Sequence, residues 1–288
     1  LAAFAGLAFA ARVAGPAAGR LAAALAGGGL PRLASADPFY LANAPTVLFA
    51  AVFLFGAAGA ALYRNPGFTG HIKAALGVAL GTVPLAAMAL VGQRAGCGWF
   101  CLAILLLAAI GLVRNPARAL WPAVLLAALA ALAWPDISLL AQGLARKTVE
   151  VGVNSRDSEA AAVIRLLQDS APAALFGKGW GATFASPAVG GVTVNFTHSL
   201  ITSFWLKAGL AGAGLALAYL GLICRGLWPV LRARPVLALA LAGPLLIDIL
   251  LYASFKSLDF GLILLLAAVS AEAEKEAGES SNGNIMTN

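Results

Sequence analysis

Charge is what this sequence has least of. Only 11% of its 288 residues are Asp, Glu, Lys or Arg, and 61% are hydrophobic, with a mean hydropathy of +0.90. Soluble globular domains carry about 25% charged residues, so the composition excludes an ordinary soluble domain and indicates a polytopic membrane protein. Cysteine and histidine are also scarce. Three cysteines make no disulfide framework. Cys97 and Cys101 lie one helical turn apart in an apolar run, without a nearby His or carboxylate, and read as small packing residues rather than metal ligands. No carboxylate cluster accompanies them, so neither a metal nor another cofactor is expected. The net charge of +7 does not imply nucleic acid as a partner, because most Lys and Arg stand singly at the ends of apolar runs. Charges so placed set membrane orientation.

Apolar runs are what the sequence has in abundance. A helix crosses a bilayer with about 20 apolar residues, and the pattern predicts spans over 44–63, 72–92, 96–113, 119–134, 199–224, 236–254 and 258–271. Residues 1–29 are apolar but interrupted by Arg12, Pro16 and Arg20, and are expected to hold one further span. Residue 1 is Leu rather than Met, and the apolar run begins at once, so a truncated start is expected. The expected fold is all-α: a polytopic transmembrane helical bundle with one large, partly helical periplasmic loop. Its segments are N-terminal membrane helices (1–134), the large loop (135–197), C-terminal membrane helices (198–271) and a disordered cytoplasmic tail (272–288). Arg64 with Lys73, Arg114 with Arg118, and Arg225 with Arg232 and Arg234 fall on one face, the cytoplasmic one by the positive-inside rule. Gln93-Arg94, the long loop and Phe255-Lys256 then fall on the other.

The long loop gathers the polar chemistry. Asn154 or Ser155 can cap a helix running to about Asp169, with Asp157 and Glu159 favourable in its first turn. At about 100° per residue, Arg156, Ala160, Val163 and Leu167 share one face, while Arg165 lies opposite with Asp169 as its i+4 partner. An arginine on the packed face needs an anion. For Arg156 that is either a ligand or a structural bridge to Asp157 or Glu159. Gly177-Lys178-Gly179-Trp180-Gly181 follows Pro172-Ala-Ala-Leu-Phe. Glycines let backbone N–H groups approach an anion, so Gly177, Lys178, Gly179 and Gly181 are candidate substrate-binding residues, although a plain reversing loop reads as well. The spacing is not that of a nucleotide-binding glycine motif. His198 stands at the mouth of the apolar run Ser199-Leu-Ile-Thr-Ser-Phe-Trp, and an imidazole, titrating near 6.5 when unperturbed, suits proton abstraction. Lys207 and Asp248, two charges within apolar runs, read as a helix–helix ion pair.

Three of these features occur together in order: Arg94-Ala-Gly-Cys-Gly-Trp opening a span; a loop arginine, Arg156, followed by Leu-Phe-Gly-x-Gly-x-Gly at 175–181; and His198-x10-Gly209 with Gly-Leu-Ala-Gly at 209–212. In this order they resemble the O-antigen ligase and O-antigen polymerase superfamily of bacterial envelope glycosyltransferases, over roughly residues 80–270. Members of that family often place Leu four residues after the loop arginine. This chain has Ala160 there, which keeps Arg165 as a second candidate.

The resemblance implies an enzyme of the bacterial inner membrane, its active site facing the periplasm. It implies transfer of a glycan from undecaprenyl diphosphate to an acceptor hydroxyl on lipid A–core or another glycan. Arg94 and Arg156 would hold the diphosphate, since guanidinium binds phosphate oxygens with paired hydrogen bonds. His198 would deprotonate the acceptor, with inversion at the anomeric carbon and no metal. A polymerase of the same superfamily is the nearest alternative. A multispan transporter or flippase of lipid-linked sugars is the alternative from another class, and it predicts repeated halves and broken helices. No internal repeat is visible.

Overall fold

The computed structural model describes residues 1–12, 43–132, 134, 138, 141–143, 145, 156–251 and 257–286. The helices are α1 (Ala2–Arg12), α2 (Pro45–Arg64), α3 (Phe68–Leu90), α4 (Arg94–Arg114) and α5 (Pro116–Leu132), then α6 (Arg156–Leu167), α7 (Ala171–Phe176), α8 (Leu200–Ala233), α9 (Pro235–Leu250) and α10 (Leu258–Met286). The only strands among the described residues are β1 (Phe184–Ser186) and β2 (Val192–Val194), an antiparallel pair. Four helices, α2, α3, α4 and α8, are long and apolar enough to cross a membrane, and apolar helices at 2–12, 116–128 and 235–247 are shorter. Helix-only apolar segments of this length are what a bilayer selects, because backbone polar groups in hydrocarbon must bond within their own segment.

Each of the seven predicted spans from residue 44 onward coincides with a helix. Three differ from expectation in length or extent. α5 and α9 fall short of a full span by length and composition. The end of the expected span at 252–254, the residue pair at 255–256, and most of the apolar stretch at 1–29 lie outside the described residues, as do the predicted caps Asn154 and Ser155. α10 does not stop near Ala271 but runs on to Met286, where a disordered tail is predicted. The Ala, Glu and Lys residues at 271–277 are strong helix formers and extend the turn already started by the apolar segment.

The chain divides into two compact units, one of residues 1–147 with 230–244, the other of 148–229 with 245–288. The divisions inside α8 and α9 fall at Pro229 and Pro244, each of which removes a backbone donor from its helix. In the first unit α2 is the central element. Val47, Leu48, Phe49, Ala50, Ala51 and Val52 are successive and all buried, so this helix is covered on every side at that level. Pro45 opens it, and Asn65, held extended before Pro66, closes it. α3 packs along α2 through Gly70, Ala74, Gly77 and Gly81, a small-residue stripe that lets the two backbones approach.

The second unit has its own core of Val163, Leu167, Ala173, Phe184 and Leu206, contributed by α6, α7, β1 and α8. The predicted α6 face is observed: Val163 and Leu167 are buried and Arg165 is exposed. Gly190 and Gly191, at φ 73° and 80°, turn the chain between β1 and β2 in a conformation that side-chain-bearing residues rarely adopt. The hairpin register sets Phe184 opposite Val194 and Ser186 opposite Val192. With a period of two, Phe184 and Ser186 both face inward, one into the apolar core and the other toward α6.

Candidate active site

The site is built around Glu159, a carboxylate in the first turn of α6 that is only 2% exposed. Ionised carboxylate is costly to bury unless donors surround it, and here they do. Ser186 Oγ donates to Oε1 at 2.7 Å, the His198 backbone N–H donates to Oε2 at 2.9 Å, and His198 Nδ1 lies 3.0 and 3.1 Å from the two oxygens. Burial by itself drives the Glu159 pKa up. The hydrogen bonds from the His198 ring, the His198 amide and Ser186, with the ring's charge, outweigh it and leave the group below its ordinary value of 4.5. The carboxylate is therefore ionised at neutral pH and has no proton to offer.

That fixes the histidine. Facing an acceptor-only carboxylate, Nδ1 must carry the ring hydrogen, and the neutral ring then presents its lone pair at Nε2. Nε2 has no hydrogen-bond partner among the described residues, and the side chain is 17% exposed. Phe196 sits edge-on to the ring at 5.6 Å, which limits its rotation. Behind it, Thr197 Oγ1 donates to the Ser199 carbonyl and Thr202 Oγ1 to Thr197 Oγ1, both at 2.8 Å, fixing the entry into α8. An imidazole with one nitrogen held by a buried carboxylate and the other open is built to accept a proton and to be stabilised once charged.

Arg156 opens α6 one turn before Glu159 and on the same side, half-buried. The second unit thus brings Glu159 and His198 into contact, with Arg156 one turn away on the same helix as Glu159. Arg165 is exposed in the last turn of α6, and its expected partner Asp169 is taken by Lys178, whose Nζ is 3.1 Å from Oδ2. Arg94 belongs to the first unit, where it is the first residue of α4. No acidic residue occupies that first turn, so the positive end of the helix and a guanidinium coincide, an arrangement that favours an anion.

The glycine cluster has a different use from the one its composition suggests. The N–H groups of Gly177, Lys178 and Gly179 donate to the carbonyls of Ala173, Leu206 and Lys207, at 2.8, 2.9 and 3.0 Å. These donors are consumed within the protein and do not form an anion cradle. α8 is broken at Gly209, whose φ of 66° is left-handed, and the loop supplies the hydrogen bonds to the adjoining turn. A Cβ at Gly177 would collide with the Lys207 backbone, and one at Gly209 with Leu175. Gly181 meets nothing within 4 Å and is open on this account. The Lys207 ammonium lies 5.0 Å from the Trp180 ring centroid, and the side chain of its predicted partner Asp248 lies outside the described residues.

Glu159 is the functional residue that pattern reading missed. Its position in the first turn suits the helix dipole, yet it stands four residues before Val163 and so on the apolar face. A carboxylate on a buried face demands donors, and that was the available signal. Ser186 gave none. No protein-family model, curated protein or solved structure matches this chain.

Proposed function

We propose that this chain is an integral-membrane glycosyltransferase of the O-antigen ligase type, working at the periplasmic face of a bacterial inner membrane. It would move a glycan from undecaprenyl diphosphate to the hydroxyl of an acceptor such as lipid A–core. The observation that carries this reading is His198 Nδ1 held on the buried carboxylate of Glu159, with Nε2 left open beside the membrane-length helix α8. Nε2 takes the proton of the acceptor hydroxyl as its oxygen attacks the anomeric carbon. The bond from that carbon to the diphosphate oxygen breaks, its electron pair leaves on the diphosphate, and the configuration inverts. Glu159 stabilises the imidazolium so formed, which then returns its proton to solvent or to the departing diphosphate. Arg156, one turn from Glu159, would meet the negative charge of the leaving group. The assignment of Arg94 to the same diphosphate rests on the sequence resemblance alone.

The test is transfer by the purified protein, supplied with a defined polyprenyl-diphosphate glycan and candidate acceptors. His198→Ala is expected to lose transfer by a factor on the order of 10²–10⁴, the usual contribution of a positioned general base. Undiminished transfer removes His198 from the mechanism. One discrete shift of a lipid acceptor marks a ligase, and a ladder of glycan lengths marks a polymerase of the same superfamily.

One observation bears on the transporter alternative: α8 is interrupted at Gly209, and broken helices occur at transport sites. Lys178 and Gly179 already occupy the carbonyls of Leu206 and Lys207 beside that break, which leaves the transferase reading ahead. Movement of the donor lipid that survives His198→Ala, with no glycan transferred by the wild type, would reverse that order.

A further inference from the structure

The second unit exposes a compact apolar patch. Leu175, Phe176 and Trp180 are 49%, 70% and 73% exposed, and they lie on the segment that hydrogen-bonds to α8 at Leu206 and Lys207. Trp180 also meets Phe204 edge-on at 6.3 Å and lies under the Lys207 ammonium. The patch is therefore fixed at a known level of α8, and what covers it depends on where that level stands in the bilayer.

The helix itself supplies the answer. α8 has 34 residues interrupted at Gly209, and the stretch 210–233 beyond the break alone makes about 36 Å of helix at 1.5 Å per residue, whereas the hydrocarbon core takes about 30 Å, or some 20 residues. Part of α8 must stand outside the core. Its burial pattern identifies the part: Leu200, Ser203 and Leu206 are covered, while Leu210, Leu215, Leu217 and Leu222 are 51%, 70%, 55% and 66% exposed. Beyond the Gly209 break only a narrow stripe of Gly212, Ala213 and Ala216 stays covered before Arg225, and the leucine-bearing remainder of the helix is exposed. The bare, apolar half requires lipid. Arg225 marks the far boundary, and about 20 residues back from it the near boundary falls beside Leu206 and Lys207.

We propose that Phe176 and Trp180 seat in the headgroup–acyl boundary of the bilayer that α8 crosses, with Lys207 reaching the lipid phosphates. Aromatic rings and lysines of this kind favour that layer, each having an apolar body and a polar end. Lys178, between Phe176 and Trp180, is paired with exposed Asp169. The seat fixes the height of the Glu159–His198 pair, which stands about 13 Å from Lys207 toward the aqueous side at the helical rise per residue. The inference concerns the loop and the lipid alone and does not depend on the transferase reading.

The test uses the full chain in phospholipid vesicles, with Cys97, Cys101 and Cys224 replaced by alanine and single nitroxides placed through Phe176→Cys, Trp180→Cys and, as an aqueous control, Thr193→Cys. Collision with oxygen relative to a water-soluble nickel chelate is expected to rise at 176 and 180 and to stay low at 193. A ratio at 176 and 180 equal to that at 193 overturns the proposal, and so does shielding at 180 that arises only when glycan is added. Native cysteines are kept in a second measurement, in which brominated acyl chains quench tryptophan fluorescence. Trp180→Phe is expected to lose a quenched component; an unchanged quenched fraction again overturns the proposal. The His198→Ala protein should give the same depth readings, so a failed transfer assay and a failed membrane seat are separable.

Discussion

At the scale of single residues, the carboxylate of Glu159 carries the sharpest consequences. Glu159→Gln keeps the volume but removes the charge and replaces one acceptor oxygen by a donor, so it can no longer accept from Ser186, the His198 amide and the ring together, and the imidazolium loses its counter-charge. The expected result is a fall in kcat of about 10²-fold or more with KM little changed, by analogy with the loss of a carboxylate that orients a catalytic histidine. Equal loss in kcat and in the binding of donor would instead mark Glu159 as a structural residue. Glu159→Ala leaves Ser186 and the His198 amide without their acceptor and should destabilise the second unit by about 3 kcal/mol, as removal of one partner from a buried ionic network does. The pH dependence follows from the direction of the shift. Folded Glu159 holds its proton more weakly than the unfolded chain does, so its contribution is complete above the ordinary value of 4.5 and is lost as pH falls through the depressed one. Acid unfolding followed by tryptophan fluorescence in detergent should show this loss in the wild type and not in Glu159→Gln. The pairing itself could not be read from spacing, because the partners are 39 residues apart and the hairpin bringing Ser186 has only three residues per strand.

At the scale of elements, the lock between the loop at 177–179 and the break in α8 explains glycines whose composition suggests phosphate binding. Gly177→Ala and Gly209→Ala both demand a left-handed backbone from alanine and drive a Cβ into facing backbone. Each should cost roughly 2–3 kcal/mol and expose the segment before α8 to protease. Gly181→Ala, with open space around it and no left-handed φ, should be near neutral in the same assay. A phosphate cradle would erase that ranking in donor KM, with Gly181→Ala as damaging as Gly177→Ala. The helices were far easier to read. Long apolar runs ended by Pro66, Arg114 and Arg225 locate α2, α4 and the bilayer-crossing part of α8 without any tertiary information. Tail residues 272–286 are polar, which predicts disorder, yet their Ala, Glu and Lys are strong helix formers and α10 continues through them.

At the scale of the whole molecule, orientation is the expectation that labelling can decide. With Cys97 and Cys101 replaced by alanine, a membrane-impermeant maleimide applied to intact cells should react with Thr193→Cys, an exposed residue of β2, and not with the native Cys224 beside Arg225. The reverse pattern would place His198 on the cytoplasmic side and end the proposed reaction there. Arg94→Ala and Arg156→Ala, measured separately, should each weaken donor use about tenfold or more if both guanidinium groups meet diphosphate. Loss confined to Arg156 would limit the site to the second unit. By itself the sequence determined that this protein is helical and suited to a membrane, because the transfer of apolar side chains from water and the need to bond every backbone group inside lipid act on local runs of residues. Which side chain faces His198, and which carbonyls the loop glycines serve, only the tertiary structure decided. Those contacts join residues far apart in the chain, and the energy that selects them, satisfaction of buried charge and of freed carbonyls, exists only once the elements have packed.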